Sequence, residues 1–228
     1  MSAPLTFHDP FTLFIVALAG VLIAGYLVGR SVNRKRARII STWLESGMRT
    51  LGGMPVVQAV NRTAFRIKVT QARVPFSVVT ASVVLLSREV LPIWLWERIK
   101  QHSDIVFFHL TLRRDPRIEL EIVNPTCELG RRGEAQAEQL QWPLTATRGA
   151  YHLYCPESGI SDDLVDRIIT HVADAPYMPH RVAIRTHAPH VLASFAFSDL
   201  QRVSSVELMR WLTQLVRLVP FVEGEASS

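Results

Sequence analysis

The chain has 228 residues, of which 48% are hydrophobic, and its 25 Lys and Arg against 20 Asp and Glu give a net charge of +5. Five basic residues directly follow one apolar segment and equal that excess, so the rest of the chain is close to neutral, and charge alone does not indicate a broad nucleic-acid-binding face. Long runs of Val, Ile, Leu and Phe exclude a disordered tail.

The first predicted element is an apolar segment from Phe11 to Gly29, nineteen residues without a charge. An α-helix of about that length crosses a hydrocarbon core of roughly 30 Å. A cleaved secretory signal has a basic first region, a shorter apolar run and a small-residue cleavage site. Here the short segment 1–10 carries Asp9 and no Lys or Arg, and no such cleavage site follows. The sequence therefore favours a permanent membrane anchor over a cleaved signal.

The residues in and after this span predict how it sits in the membrane. By the positive-inside rule, a basic block after the span places the N-terminus outside or in a lumen and residues 30–228 in the cytoplasm. Such a block is typical of a topology signal, and contact with anionic lipid headgroups or RNA phosphates is the alternative. Small residues in the span permit close approach of another membrane helix. The basic residues are Arg30, Arg34, Lys35, Arg36 and Arg38, and the small ones are Gly20, Ala24, Gly25 and Gly29.

The helix is predicted to continue as a basic stem over residues 30–53, with Gly52 as its stop. Trp43 in this stem either docks on the following domain or meets another membrane protein. Residues 54–220 are predicted to form that domain, and residues 221–228 a flexible tail. Within the domain, alternating apolar and polar residues predict a strand over residues 64–69.

Residues 75–86 are β-branched and nearly uninterrupted, which predicts a strand buried on both faces. Ser87 is the predicted cap of the next helix, whose apolar stripe includes Trp94 but not Trp96. Interface hot spots favour aromatic residues. An exposed Trp96 would therefore be a candidate partner contact, and a second buried face of the helix is the alternative.

The second half of the domain is predicted to consist of hairpins and amphipathic helices. IVFFHLTL and RIELEIV are predicted to pair as one hairpin, and RVAIRT and VLASFAF as another. Helices are predicted from a cap at Ser161 and over residues 205–219, and the polar segment TCELGRRGEAQAEQLQ is predicted to be a mobile loop. Units of α-β-β order beginning near Ser87 and Ser161 suggest a structural repeat. The predicted class is α+β, with antiparallel hairpins and helices on one face.

Chemical motifs are scarce in the sequence. Eight histidines, three of them close together, raise the hypothesis of a metal site, but no H-x-x-x-H helix or paired cysteines accompany them. The segment CPESGISDD lacks the G-x-S-x-G turn of a nucleophile, and no glycine-rich phosphate loop occurs. We therefore predict no enzyme, metal, cofactor or small-molecule substrate. The clustered histidines are His180, His187 and His190, and the predicted free thiols are Cys127 and Cys155.

The order of these segments resembles the calumin family over about residues 20–220. Arg88 and Glu89 open a helix containing Leu91, Asp104 precedes a strand, and ESGISD, residues 157–162, precedes another helix. Calumin-like proteins are single-pass endoplasmic-reticulum proteins of the translocon-associated PAT complex. The resemblance implies a cytosolic α+β domain, no catalysis, and a part in assembling multipass membrane proteins beside the translocon and the ribosome. The family's acidic lumenal segment and charged C-terminal coiled coil are not matched, so calcium binding does not carry over.

Together these features predict a non-enzymatic scaffold or biogenesis factor that is anchored in a membrane and assists membrane-protein insertion or assembly near the translocon. Its partners would be membrane proteins that contact the span and the stem. The first alternative is an accessory subunit of a stable membrane complex. The second is a membrane-tethered hydrolase that uses a histidine metal site.

Overall fold

The structure is a computed structural model that describes residues 10–100, 102–156 and 160–222. The predicted N-terminal segment 1–10 and tail 221–228 lie almost wholly outside these residues, as do residues 157–159 of the segment before Ser161.

Helix α1 (Pro10–Arg49) is one unbroken helix of 40 residues that contains both the predicted span and most of the stem. Its apolar part has a mean hydropathy of 2.5 and no buried residue, and it is long and apolar enough to cross a membrane. We call residues 11–29 the candidate span. From the last residue of the candidate span onward, buried residues lie along one side of the helix: Gly29, Asn33, Ile40, Leu44, Gly47 and Met48.

Nine strands and five more helices follow α1 in the described part of the chain. The strands are β1 (Pro55–Ala59), β2 (Ala64–Thr70), β3 (Phe76–Val84), β4 (Ile105–Leu112), β5 (Leu120–Val123), β6 (Leu144–Arg148), β7 (Tyr151–Tyr154), β8 (Arg181–Ile184) and β9 (Val191–Ala196). The helices are α2 (Leu91–Ile99), α3 (Glu128–Gln139), α4 (Asp162–Ala173), α5 (Phe197–Leu200) and α6 (Ser205–Leu218).

The strands form a single open antiparallel sheet in the order β1-β2-β3-β4-β9-β8-β5-β7-β6. The predicted α+β class is therefore confirmed. Strands β8 and β9 form the predicted hairpin, in which Ile184 lies opposite Val191. The predicted hairpin of β4 and β5 is wrong, because β9 and β8 lie between these two strands. The first α-β-β unit thus lacks the hairpin of the second, and the repeat is not supported.

The main core lies on one face of the sheet, under the stem, α4 and α6. Leu44 of the stem, Ile168 of α4 and Leu215 of α6 are fully buried there. Helix α4 begins at the predicted cap, since Ser161 Oγ accepts a hydrogen bond from Leu164 N at 3.4 Å. Burying this apolar layer supplies most of the driving force for folding the domain.

Strand β3 is buried on one face and not on both as predicted. Val79, Ala81 and Val83 point into the core, whereas Thr80 and Ser82 on the other face are half-buried. The run of β-branched and small residues masks this alternation, because Thr and Ser have the size of Val and Ala but suit a partly solvated face.

The segment predicted as a mobile loop forms helix α3, which packs on the opposite face of the sheet. Val123 and Tyr154 lie on that face and pack with Ala137 of α3. A Cβ at Gly130 would overlap the carbonyl oxygen of Asn124, so the close approach requires glycine there. The prediction of helices on one face is therefore wrong for α3.

Candidate membrane-facing surface

Strands β1 and β2 contact α1, and one end of the sheet lies next to the candidate span. At that end, Arg62 in the β1–β2 turn donates a hydrogen bond from Nη1 to the Tyr26 hydroxyl at 3.3 Å. At the other end, Arg73 N donates to Leu51 O at 2.6 Å, just beyond the end of α1. We call the first of these the span-proximal end; it also holds the end of β3 and the start of β4.

A buried carboxylate attaches the stem to the span-proximal end. The Asp104 side chain is 2% exposed and accepts hydrogen bonds from Arg88 Nη1 at 2.8 Å, Arg88 Nη2 at 3.0 Å and Arg36 Nη1 at 3.1 Å. It also accepts one from Leu86 N at 2.9 Å. Asn33 of the stem donates to Leu86 O and accepts from Arg88 Nη1, both at 3.0 Å. Charge-assisted bonds of this kind fix geometry as well as energy. We call Asn33, Arg36, Arg88 and Asp104 the stem joint.

The contact continues up α1 into the candidate span. A Cβ at Gly29 would overlap the carbonyl oxygen of Arg88, and one at Gly25 would overlap the Leu91 side chain. Gly25 and Gly29, two of the four small residues predicted to contact another membrane helix, therefore pack against residues 88–91 of the same chain. At Gly20 a Cβ would have no neighbour within 4 Å, and Ala24 is exposed.

Helix α2 begins beside the candidate span. The predicted cap at Ser87 is wrong, because the helix starts at Leu91 with Val90 as its uncapped N-terminal neighbour. The Ser87 amide instead donates to Glu97 Oε2 at 3.1 Å. Pro92 fits the first turn, where its missing N–H leaves no intrahelical bond unmade.

The apolar face of α2 points away from the domain. Spacing of three and four residues places Pro92, Leu95, Trp96 and Ile99 in one stripe. The predicted stripe is therefore wrong in its tryptophan, because Trp94 is half-buried on the other side of the helix. All four are exposed, Leu95 at 56%, Trp96 at 60% and Ile99 at 68%, and α2 has no buried residue. We call these four residues the α2 stripe. The alternatives for Trp96 are thereby decided in favour of exposure.

The other predicted partner contact, Trp43, docks on the domain. Its Nε1 donates to Val203 O at 3.1 Å, and its ring meets Phe197 edge to face with centroids 5.7 Å apart. Among the predicted basic residues, Arg36 belongs to the stem joint and Arg30 is half-buried. The remaining three are exposed below the candidate span: Arg34, Lys35 and Arg38.

A cleft of about 930 Å³ lies between α2 and α3 at the span-proximal end. Cys127 in its wall caps α3, since its Sγ accepts from Gly130 N at 3.3 Å. Burial raises the pKa of the Cys127 thiol and lowers the pKa of His180. Both are therefore neutral at pH 7, whereas a nucleophilic cysteine requires the thiolate. Charged and histidine side chains of both signs line the rest of the cleft: Glu97, Lys100, His102, Glu128, Arg131 and Arg132.

Two of the three histidines of the metal hypothesis, His187 and His190, lie in different surroundings. His190 Nδ1 accepts from Leu112 N at 2.9 Å, and its Nε2 lies 3.0 Å from Asp115 Oδ1. The side chain of His187 is 81% exposed at a turn. Within residues 10–100, 102–156 and 160–222, no group of three or more His, Cys, Asp or Glu side chains could hold a metal ion.

The sequence reasoning missed a buried ion-pair cluster beneath α3. Glu121 is fully buried and pairs with Arg181 and Arg185. Arg181 Nη2 also donates to Gln136 Oε1 at 2.7 Å, and Arg185 stacks over the Trp142 ring at 5.0 Å. Arg181 and Arg185 are four residues apart along a predicted strand and so lie on the same face of it. This spacing was the one sequence pattern that indicated the cluster.

A scan of the chain against protein-family models finds no match, and a search among curated proteins finds none either. The functional interpretation accordingly depends on the geometry of the span-proximal end.

Proposed function

We propose that the chain is a non-enzymatic, membrane-anchored scaffold or biogenesis factor for other membrane proteins. The observation that carries the proposal is the division of α1. Residues 10–28 expose apolar side chains and include no buried residue, whereas one side of the second half lies in the core of a folded domain. An exposed apolar surface of that size is unfavourable in water, and a bilayer solvates it.

The exposed basic residues support a cytoplasmic domain. Arg34, Lys35 and Arg38 lie on the exposed side of α1 immediately below the candidate span, where the positive-inside rule expects cytoplasmic charge. Arg36 forms an ion pair with Asp104, so it contributes to the packing of the domain as well as to the basic block.

The stem joint supports a scaffold that works at the membrane. A flexible linker would let the domain sample space far from the bilayer. Here α1 continues without a break into the core, and Asp104 ties the sheet to the stem beside the span. Gly20 and Ala24 leave a side of the span open to a partner helix, which suits recognition of another membrane protein.

The narrower proposal, assembly of multipass proteins near the translocon, is supported by the resemblance to the calumin family. An accessory subunit of a stable complex has the same anatomy and differs in keeping one stoichiometric partner. The histidine positions give the hydrolase alternative no support.

A mild-detergent pulldown of the tagged full-length chain tests the proposal, with partners and stoichiometry read by mass spectrometry. A matched variant carries an unrelated span in place of residues 11–28, with Gly25 kept for its contact with Leu91. We expect translocon components or ribosomes with many substoichiometric membrane proteins, and their loss in the span variant. A single partner set at constant ratio would favour the accessory subunit, and no membrane-protein partners at all would overturn both.

Protease protection in sealed membranes tests the orientation separately. We expect the domain to be digested from the cytoplasmic side. Protection of the whole domain would reverse the topology.

A further inference from the structure

We propose that α2 is a second membrane-contacting element, an interfacial helix whose α2 stripe is buried at the headgroup and acyl-chain boundary of the bilayer that α1 crosses. The ligand of this surface is the lipid bilayer itself. The inference rests on the proposed anchoring of α1 and adds a lipid-binding surface on the folded domain.

The depth of α2 follows from its contact with α1. Leu91, its first residue, packs at Gly25, four residues before Gly29, the last residue of the uncharged run. At a rise of 1.5 Å per residue, this places the start of α2 about 6 Å inside the candidate span. Interfacial helices bury their apolar faces about 5–10 Å into the headgroup and acyl boundary. The fold thus holds α2 at the required depth.

The composition of α2 suits an interface between lipid and water. The α2 stripe contains an exposed Trp96 next to Leu95 and Ile99, and tryptophan is enriched at the level of the headgroups. Lys100 lies over the Trp96 ring, with Nζ 4.7 Å from the centroid. A long cationic side chain in this position keeps its charge in the headgroup layer while its stem covers apolar surface.

The half-buried residues of α2 show which side faces the protein. Leu91, Trp94 and Glu97 lie along the side opposite the stripe, and Glu97 accepts a hydrogen bond from the Ser87 amide. Leu91 and Trp94 thus face the protein, while the larger apolar surface of α2, the α2 stripe, is left outward. In water that arrangement is unfavourable, whereas beside the span the neighbouring solvent is lipid.

Fluorescence quenching in the full-length protein tests this proposal. The parent carries Cys127→Ser, which keeps a preferred helix cap, while Cys155 stays buried. Single cysteines at Trp96 or Ile99 are labelled with an environment-sensitive fluorophore in vesicles of phosphatidylcholine and phosphatidylglycerol. The quenchers are nitroxide-labelled phosphatidylcholine in the bilayer and iodide in the water. Matched labels are Leu18→Cys in the candidate span and Met54→Cys, which is 85% exposed at the far end of the stem.

We expect lipid quenching at residues 96 and 99 at least about threefold stronger than at residue 54, with iodide showing the reverse order. Labels at 96 and 99 that behave like residue 54, while residue 18 is lipid-quenched, would overturn this proposal and leave the anchor intact. Failure of quenching at residue 18 would overturn the anchor itself. Labels at 96 and 99 shielded from both quenchers would show that a second copy covers α2, and would overturn the lipid assignment.

Discussion

Arg88 presents two guanidinium nitrogens to the two carboxylate oxygens of Asp104, at 2.8 and 3.0 Å. This bidentate pair sits where the stem passes the sheet, and its carboxylate is almost wholly shielded from water. Two charges buried together are tolerated because each is the other's counterion, and loss of one leaves the other unpaired.

Replacing Asp104 with Asn should therefore loosen the stem joint. Arg88 keeps its charge without a counterion, so we expect the free energy of unfolding to fall by about 3 kcal/mol. Denaturant titration of the full-length protein in detergent micelles measures this loss, and faster hydrogen exchange at the Leu86 amide would locate it. Arg36→Gln is the matched control, because the Arg36 side chain is 42% exposed and such a pair contributes less than about 1 kcal/mol. Equal losses in the two variants would contradict the buried joint.

Comparing Gly29→Ala with Gly20→Ala distinguishes the effect of packing against the domain from the effect of helix propensity. At Gly29 the added Cβ overlaps the Arg88 carbonyl oxygen, whereas at Gly20 it meets nothing within 4 Å. In a helix interior, alanine is favoured over glycine by roughly 0.5–1 kcal/mol. We expect Gly20→Ala to keep or raise the melting temperature, and Gly29→Ala to lower it and increase hydrogen exchange in residues 86–91. The same response at both positions would show that α1 and α2 do not pack as described.

Glu121→Gln should be among the most destabilising single changes in the sheet. It leaves Arg181 and Arg185 next to a neutral side chain at a fully buried position, and we expect a loss of about 3–5 kcal/mol in denaturant titration. Glu128→Gln provides the comparison, since that side chain is 46% exposed in its pair with Arg132. A loss under about 1 kcal/mol at residue 121 would mean that water reaches beneath α3.

Stability should fall as the pH drops through the ordinary histidine range. Burial lowers the pKa of His109, His171 and His180 below 6.5. Between the ordinary histidine pKa and the lower values in the folded protein, these histidines are protonated in the unfolded chain and neutral in the folded one. The unfolded state therefore binds more protons, so lowering the pH favours unfolding.

Denaturant titrations between pH about 8 and about 5.5 would record this loss as a declining free energy of unfolding. His171→Phe should reduce the decline, because it removes one of the three groups and keeps an aromatic ring for the stack on Trp211. A profile unchanged by that substitution would contradict the assignment to His171.

Hydrophobic periodicity revealed the elements whose buried residues carry large side chains. The stem, β2, β8, β9, α4 and α6 follow their predicted positions because Leu, Ile and Val mark their inner faces. Helix α3 escaped prediction because its buried side consists of Gly130, Gly133 and Ala137. Small residues allow the helix to pack closely on the sheet, but they give no periodic pattern of large apolar residues. The sequence of such a helix therefore resembles that of a polar loop.

Two features could be determined only from the folded structure: which strands pair, and which way the apolar face of a helix points. The alternation in β5 identifies a strand, but its pairing with β8 instead of β4 depends on contacts distant in sequence. The apolar residues of α2 predict an amphipathic helix, and only its position beside Gly25 shows that the stripe faces outward. Trp43 illustrates the same limit, because its position in the stem allowed either docking on the domain or contact with another membrane protein.

Because α1 has no break where the candidate span meets the stem, the domain must follow any change in the tilt of the span. Strands β1 and β2 contact α1 at one edge of the sheet, and β6 forms the opposite edge, about 38 Å away at a spacing of roughly 4.8 Å. A change of about 20° in tilt, as a thinner bilayer would induce, moves the far edge of the sheet by roughly 13 Å. In the proposed anchored state, a change in bilayer thickness would therefore displace β6.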